Sequence, residues 1–371
     1  MATQPGIPSK PDTFEEWYVT SSYQDFVRRE GAPLYEGSAI ENLAALPLAD
    51  WERRGGKVAY TRLGNHEDYS LQIVEIPPAG SLKPERHMYD AVMYVMQGKG
   101  ATTIWQEGEP KHTVEWDEGA LLTLPLNAWH QEFNASGTEP VKLLFGTNMA
   151  HVMNLYHNTD FIFDTPYSFT DRYSYYMQDF FSDPGHHWNL RLYETNFIPD
   201  IRKFPLDTYP ERGIRTSIMR LSMASTGIGM HVMSVSEGTY ATAHRHQPGA
   251  HVIVVEGTGY ELMFFESERQ NPRKVNASPY AVVAPKQNEY HQHFNTGKGD
   301  YKMLAFRGYS LRYGIGEMYD PNATSQSTDR ESWTYKIPYA EEDPRIREEY
   351  WKDLERNGVN LRLEPVDQGG S

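Results

Sequence analysis

Apolar and polar positions alternate with a period of two over many short stretches of this chain, the pattern of half-buried strands. Strands are predicted at Tyr69–Ile76, Ala91–Met96, Ala120–Leu124, Lys142–Phe145, His231–Val235, His251–Val255, Tyr260–Phe264, Tyr280–Ala284 and Tyr301–Phe306. Gly, Pro and Asn separate them, and such spacing points to an all-β sandwich or barrel. Helical periodicity is confined to the flanks. Thr13–Arg29 opens with an Asp12/Thr13 cap and carries Phe14, Trp17, Tyr18 and Phe26, and Pro344–Asn357 has Trp351 and Leu354 as its apolar contacts.

The strand pattern occurs twice. ERHMYDAVMYVMQGKGATTIWQEG from Glu85 resembles HRHQPGAHVIVVEGTGYELMFF from His244, and GALLTLPLNAWHQEFN resembles YAVVAPKQNEYHQHFN. Setting His87 on His246 also superposes Ala91 on Ala250, Gly98 on Gly257 and Gly100 on Gly259. His130, Phe133 and Asn134 then meet His291, Phe294 and Asn295. Such specific matches indicate an internal duplication. The division expected is a helical extension (1–55), a first barrel (56–150), an aromatic-rich connecting segment (151–215), a second barrel (216–315) and a C-terminal extension (316–371).

Composition narrows the chemistry. The chain of 371 residues has 35 basic and 50 acidic residues, a net charge of −15, and no clustered basic face, which argues against nucleic acid and anionic membranes as partners. It has no apolar run long enough for a transmembrane helix. Absence of cysteine excludes disulfides, thiolate nucleophiles and Cys-ligated metals, and with no visible signal peptide a cytoplasmic location is expected. Small molecules remain as partners. The aromatic connecting segment and long termini lead us to expect a homodimer or homotetramer.

Three histidines stand out. On a strand, His244 and His246 point to one side and Arg245 to the other. A third, His291, can come from an antiparallel neighbour and close a facial set that leaves coordination positions open. Three imidazoles accept Fe, Mn, Co, Ni, Cu or Zn. His66, His112, His151, His157, His186 and His187 show no ligand spacing.

These residues resemble the motifs of the cupin superfamily, in particular its double-barrel members. The first motif appears as Gly238, five residues, His244-Arg245-His246, then glycines 257 and 259; the second as Pro285, His291 and Asn295. Together the two copies cover about 140 residues. The resemblance implies two jelly-roll barrels and a divalent ion on His244, His246 and His291. The glutamate that cupins add to this set would stand at position 250, where this chain has alanine. An all-histidine set resembles that of gentisate-type ring-cleaving dioxygenases, which implies Fe(II), O2 and a small aromatic or enolisable acid.

Further candidates surround these. His251 faces the opposite side of its strand and would reach the ion only through a bulge. His293 shares the face of His291 and suits orienting a ligand or relaying a proton. His231, Arg220, Arg307, Tyr240 and Tyr290 are placed to line the same cavity, the arginines to pair with a carboxylate. In the first copy, Glu85, His87 and His130 either form a two-His, one-carboxylate site suited to Fe(II) or belong to a vestigial barrel kept for packing. Two other readings stay open: a Zn- or Mn-dependent lyase, hydrolase or isomerase, and a non-catalytic ligand-binding protein.

Overall fold

A computed structural model describes residues 13, 20–66, 68–188, 191–246, 249–308, 310, 312–313 and 334–363. The expected class is present: two barrels, each a large sheet facing a smaller one, with helices outside them. The large sheet of the first barrel runs Leu34–Gly37, Lys57–Leu63, Ser70–Ile76, Val141–Thr147, Ala91–Gln97, Leu121–Leu124 and Phe197–Ile198, and its small sheet Trp129–Asn134, Gly100–Trp105 and His112–Trp116. In the second barrel, Thr216–Ser222, Gly229–Val235, Tyr301–Arg307 and His251–Glu256 form the middle of the large sheet. The small sheet runs Arg273–Ala277, Gly259–Phe264, Tyr290–Asn295, Ala243–His246 and Thr334–Ile337.

The central strands are apolar on both faces because each face meets a different core. Met93 and Val95 point into the first barrel, whereas Val92 and Tyr94 meet the second barrel's Met219, Leu221, Leu304 and Phe306. Ile253 and Val255 join this shared layer from the other side, while Val252 and Val254 fill the second barrel. The barrels therefore pack large sheet to large sheet around one hydrophobic layer. They also exchange edges: Ala39–Ile40 from the N-terminal segment pairs with Val282–Val283, and Phe197–Ile198 from the connecting segment pairs with Leu121–Leu122. The segment expected as an N-terminal extension thus supplies strands to both barrels, and the connector returns a strand to the first barrel.

The duplicated glycines have a steric cause. A Cβ on Gly100 would lie 2.1 Å from the Phe133 carbonyl oxygen, and one on Gly259 would lie 2.0 Å from that of Phe294. Only glycine lets these strands approach so closely.

Outside the barrels, helix Pro344–Asn357 has its expected bounds, starting at the Asp343 cap and ending at Gly358 in the left-handed region. Its buried apolar residues are Tyr350 and Leu354; Trp351, expected to pack, is 54 % exposed. The N-terminal helix is described over Ser22–Arg29; Phe14, Trp17 and Tyr18 lie outside the described residues. The connecting segment packs against the first barrel through Tyr173 and Phe181 and against the second through Tyr209. Among the described residues no helix is long and apolar enough to cross a membrane.

Candidate metal centre

In the second barrel, strands Ala243–His246 and Tyr290–Asn295 run antiparallel with His244 opposite His291. The period of two puts His293 on the same face as His291. The donor atoms of His244, His291 and His293 lie within 4.8 Å of one another, and all three residues are buried. The His244 ring centroid is 4.1 Å from that of His291 and 5.7 Å from that of His293. The strand backbone at His246 pairs with Thr334, but the His246 side chain lies outside the described residues.

Behind His293 stands Glu261, its register partner on Gly259–Phe264. The carboxylate is 2.5 Å from His293 Nδ1 and accepts from the Tyr301 hydroxyl at 3.0 Å. The contact is an ion-pair distance without hydrogen-bond geometry, and a carboxylate beside an imidazole is the kind of partner that orients ligand rings in metal sites. Sequence reasoning missed Glu261. Its signal was a charged residue at an inward position of the otherwise apolar run YELMFF.

Charge around the cluster favours neutral imidazoles. Burial, then His293 and the guanidinium groups of Arg212 and Arg307, push His291 well below its ordinary pKa. His231 is driven the same way by desolvation, then by Arg307, Arg220 and Arg212. Neutral imidazole is the ligating form. Arg220, the register partner of His231, and Arg307 thus lie on the same side of the barrel as the cluster, together with Arg212, which sequence reasoning also missed.

The remaining candidates sit elsewhere. His251 lies between the barrels, its ring 4.3 Å from Tyr69 and its Nε2 3.4 Å from the Leu63 carbonyl oxygen. The Tyr240 hydroxyl donates to Glu342, and its ring stacks on Phe294. Tyr290 stacks on Phe264 and lies under the Arg245 guanidinium.

The first barrel holds a second group, Glu85, His87 and His130, again with donor atoms within 4.8 Å. His87 Nδ1 donates to the Tyr89 carbonyl at 2.7 Å, and His130 Nδ1 donates to Glu132 at 2.6 Å. Those acceptors place both Nε2 lone pairs inward, where they face each other at 3.2 Å. Two neutral imidazole nitrogens turned toward one point are a donor pair that would hold a divalent ion. Glu85 pairs with Arg53 and, at 3.1 Å, with Arg54, whose other nitrogen reaches Glu132 at 2.7 Å. Burial would raise the Glu132 pKa, but Arg54 and His130 overcome it and hold the group at about 2.

No sequence family model and no curated protein matches the chain. Solved structures similar to it include a Bacillus subtilis oxalate decarboxylase (14 % identity, covering 74 % of this chain and 79 % of that one, TM-score 0.48). Another is a salicylate 1,2-dioxygenase from Pseudaminobacter salicylatoxidans (13 %, 65 % and 71 %, TM-score 0.47). A third is the Momordica charantia 7S globulin (12 %, 72 % and 83 %, TM-score 0.45).

Proposed function

We propose that the chain is a divalent-metal enzyme, a non-haem dioxygenase acting on a small aromatic or enolisable carboxylic acid. His244, His246 and His291 hold the ion, Fe(II) in this reading, and His293, backed by Glu261, stands in the same donor group. The observation that carries the reading is the convergence of His244, His291 and His293 within 4.8 Å in a buried setting, with no carboxylate among those donors.

A neutral ligand set leaves a divalent ion its full charge, which favours an anionic, chelating substrate. When bound, the ion supplies a Lewis acid and a place where O2 and substrate meet. The chain's own residues bind and orient. Arg212, Arg220 and Arg307 make the His231 side of the barrel electropositive and draw a carboxylate toward it. Glu261, held by the Tyr301 hydroxyl, sets a negative charge beside the His293 ring.

Metal analysis of the native protein, followed by oxygen uptake with hydroxylated aromatic acids and enolisable acids, tests this. The expected result is substrate-dependent oxygen consumption that requires Fe(II) and is lost in His291→Ala. Turnover under strict anaerobiosis with Zn(II) or Mn(II) would replace it with a Lewis-acid lyase, hydrolase or isomerase. Bound metal without any turnover would leave a storage or sensing protein.

A further inference from the structure

The strand Ala243–His246 carries two of the proposed ligands, yet among the described residues the barrel's own neighbour pairs with it only at His244, opposite His291. Its other edge is occupied along its whole length by a strand from the C-terminal extension. Thr334–Ile337 runs antiparallel to it and pairs Ala243 with Ile337, His244 with Lys336, Arg245 with Tyr335 and His246 with Thr334. The first barrel shows the same segment without that neighbour. Glu85 makes an isolated bridge to His130, the equivalent of the His244–His291 pair, and Arg86 and His87 stand in no strand. The barrel's own hydrogen bonds therefore do not suffice to make this segment a strand.

The C-terminal strand is anchored away from the ligands. Ile337 is 5 % exposed and joins Ala243, Phe264 and Tyr290 in one apolar cluster. Beyond it, the Tyr339 hydroxyl donates to the Tyr240 carbonyl. Helix Pro344–Asn357 then sets Tyr350 and Leu354 against Tyr240, Tyr260 and Phe294. By the period of two, Phe294 meets this helix on the outer face of the small sheet while His291 and His293 face inward.

We propose that Thr334–Ile337 is a positioning element of the metal centre, with Ile337 the side chain that seats it. It fixes the backbone from which His244 and His246 project. The inference rests on the reading of His244, His246 and His291 as ligands. Ligating groups need placement to within about 0.5 Å, and a strand open along one edge frays more easily than one paired on both. The coupling is reciprocal: an ion held by the ligand strand strengthens the pairing that orders it.

Hydrogen exchange and chelator competition on the full chain with Zn(II), a redox-silent probe, test this. Zn(II) should slow exchange in both Ala243–His246 and Thr334–Ile337. Ile337→Asp, which puts a charge into the apolar cluster without touching a ligand, should weaken by about tenfold or more the Zn(II) that is lost in His291→Ala. Trp351→Asp, at a position 54 % exposed on the same extension, should retain it. A merely structural role predicts a lower urea midpoint for Ile337→Asp with its Zn(II) affinity unchanged. That result, or exchange in Thr334–Ile337 indifferent to Zn(II), would overturn the inference alone. Zn(II) content equal in the native chain and His291→Ala would overturn the ligand reading and this inference with it. The exchange comparison needs no substitution, so it decides even where Ile337→Asp fails to fold.

Discussion

Arg54 and Arg212 occupy equivalent places in the two barrels: each follows an aromatic residue by three positions and lies 5.5 Å from that ring, Trp51 for one and Tyr209 for the other. The carbonyl of Arg54 accepts from the Lys83 N–H and that of Arg212 from the Thr242 N–H, each two residues before its barrel's first motif position. The duplication therefore extends to the segment that enters each barrel. What differs is the company. Arg54 pairs with Glu85 and Glu132, and the corresponding positions of the second barrel are His244 and His293.

That difference makes Arg54 a structural keystone of the first barrel. Replacing it with Met leaves the buried Glu132, and Glu85 beside it, short of a counter-charge, a change that costs about 3–5 kcal/mol in comparable buried pairs. Urea denaturation of Arg54→Met should show a lowered midpoint at unchanged slope. A loss below about 1 kcal/mol, the scale of a surface pair, would mean that Arg53 alone neutralises these carboxylates.

The motif asparagines close turns. Asn295 Nδ2 donates to the Val235 and Gly299 carbonyls at 2.9 and 2.8 Å, and its Oδ1 accepts from Gly297 N at 3.0 Å. Asn134 does the same work with Ile76, Pro77 and Glu139 as acceptors and Ser136 as donor. Asn295→Ala leaves several buried backbone groups unsatisfied and should cost about 2–3 kcal/mol. Metal content should be unchanged, which elemental analysis of the purified variant will show.

Several of these relations were visible in the chain itself. Strands such as Ala91–Gln97 and His251–Glu256 announced themselves through β-branched and apolar runs, and the paired glycines and asparagines marked the duplication. The period of two that placed His244 and His291 inward placed His293 there as well, and burial of Glu261 beside it turned an orienting candidate into a member of the cluster. Arg54 and Arg212 were hidden because they act from irregular segments before each barrel, where no periodicity assigns a side chain to a face. The exchanged strands Ala39–Ile40 and Phe197–Ile198 were hidden for a related reason. A two-residue strand carries no period, and its pairing is decided by the distant edge it completes.

His251 gives the protein an acid-side instability. Burial, then the neighbouring His66, lowers its pKa to about 3, against about 6.5 for an unfolded chain. The unfolded state therefore binds a proton that the folded state refuses. The stability due to this residue is fully present above about pH 6.5 and falls as pH drops toward 3, by up to about 1.4 kcal/mol per unit. Urea denaturation at several pH values across that window should show a steeper decline for the unsubstituted protein than for His251→Gln. Parallel lines would mean that the folded state admits the proton.

Glu261 offers the sharpest test of the second-barrel centre, because it touches the candidate ligands without belonging to them. Its Oε2 faces His293 Nδ1 at 2.5 Å, and its Oε1 takes the Tyr301 hydroxyl at 3.0 Å. Glu261→Gln keeps the shape and an acceptor for Tyr301, but removes the charge that makes the imidazole a stronger donor and can reverse the tautomer. Loss of such a partner typically lowers metal affinity by about 10–100-fold. Competition with a chelator should show that decrease in Glu261→Gln, while Glu261→Asp should recover part of it by restoring the charge at a longer reach. A purely structural role predicts the opposite ranking, since Gln preserves packing better than Asp. Unchanged affinity in both variants would remove His293 from the metal centre and leave the ion to His244, His291 and the neighbouring His246.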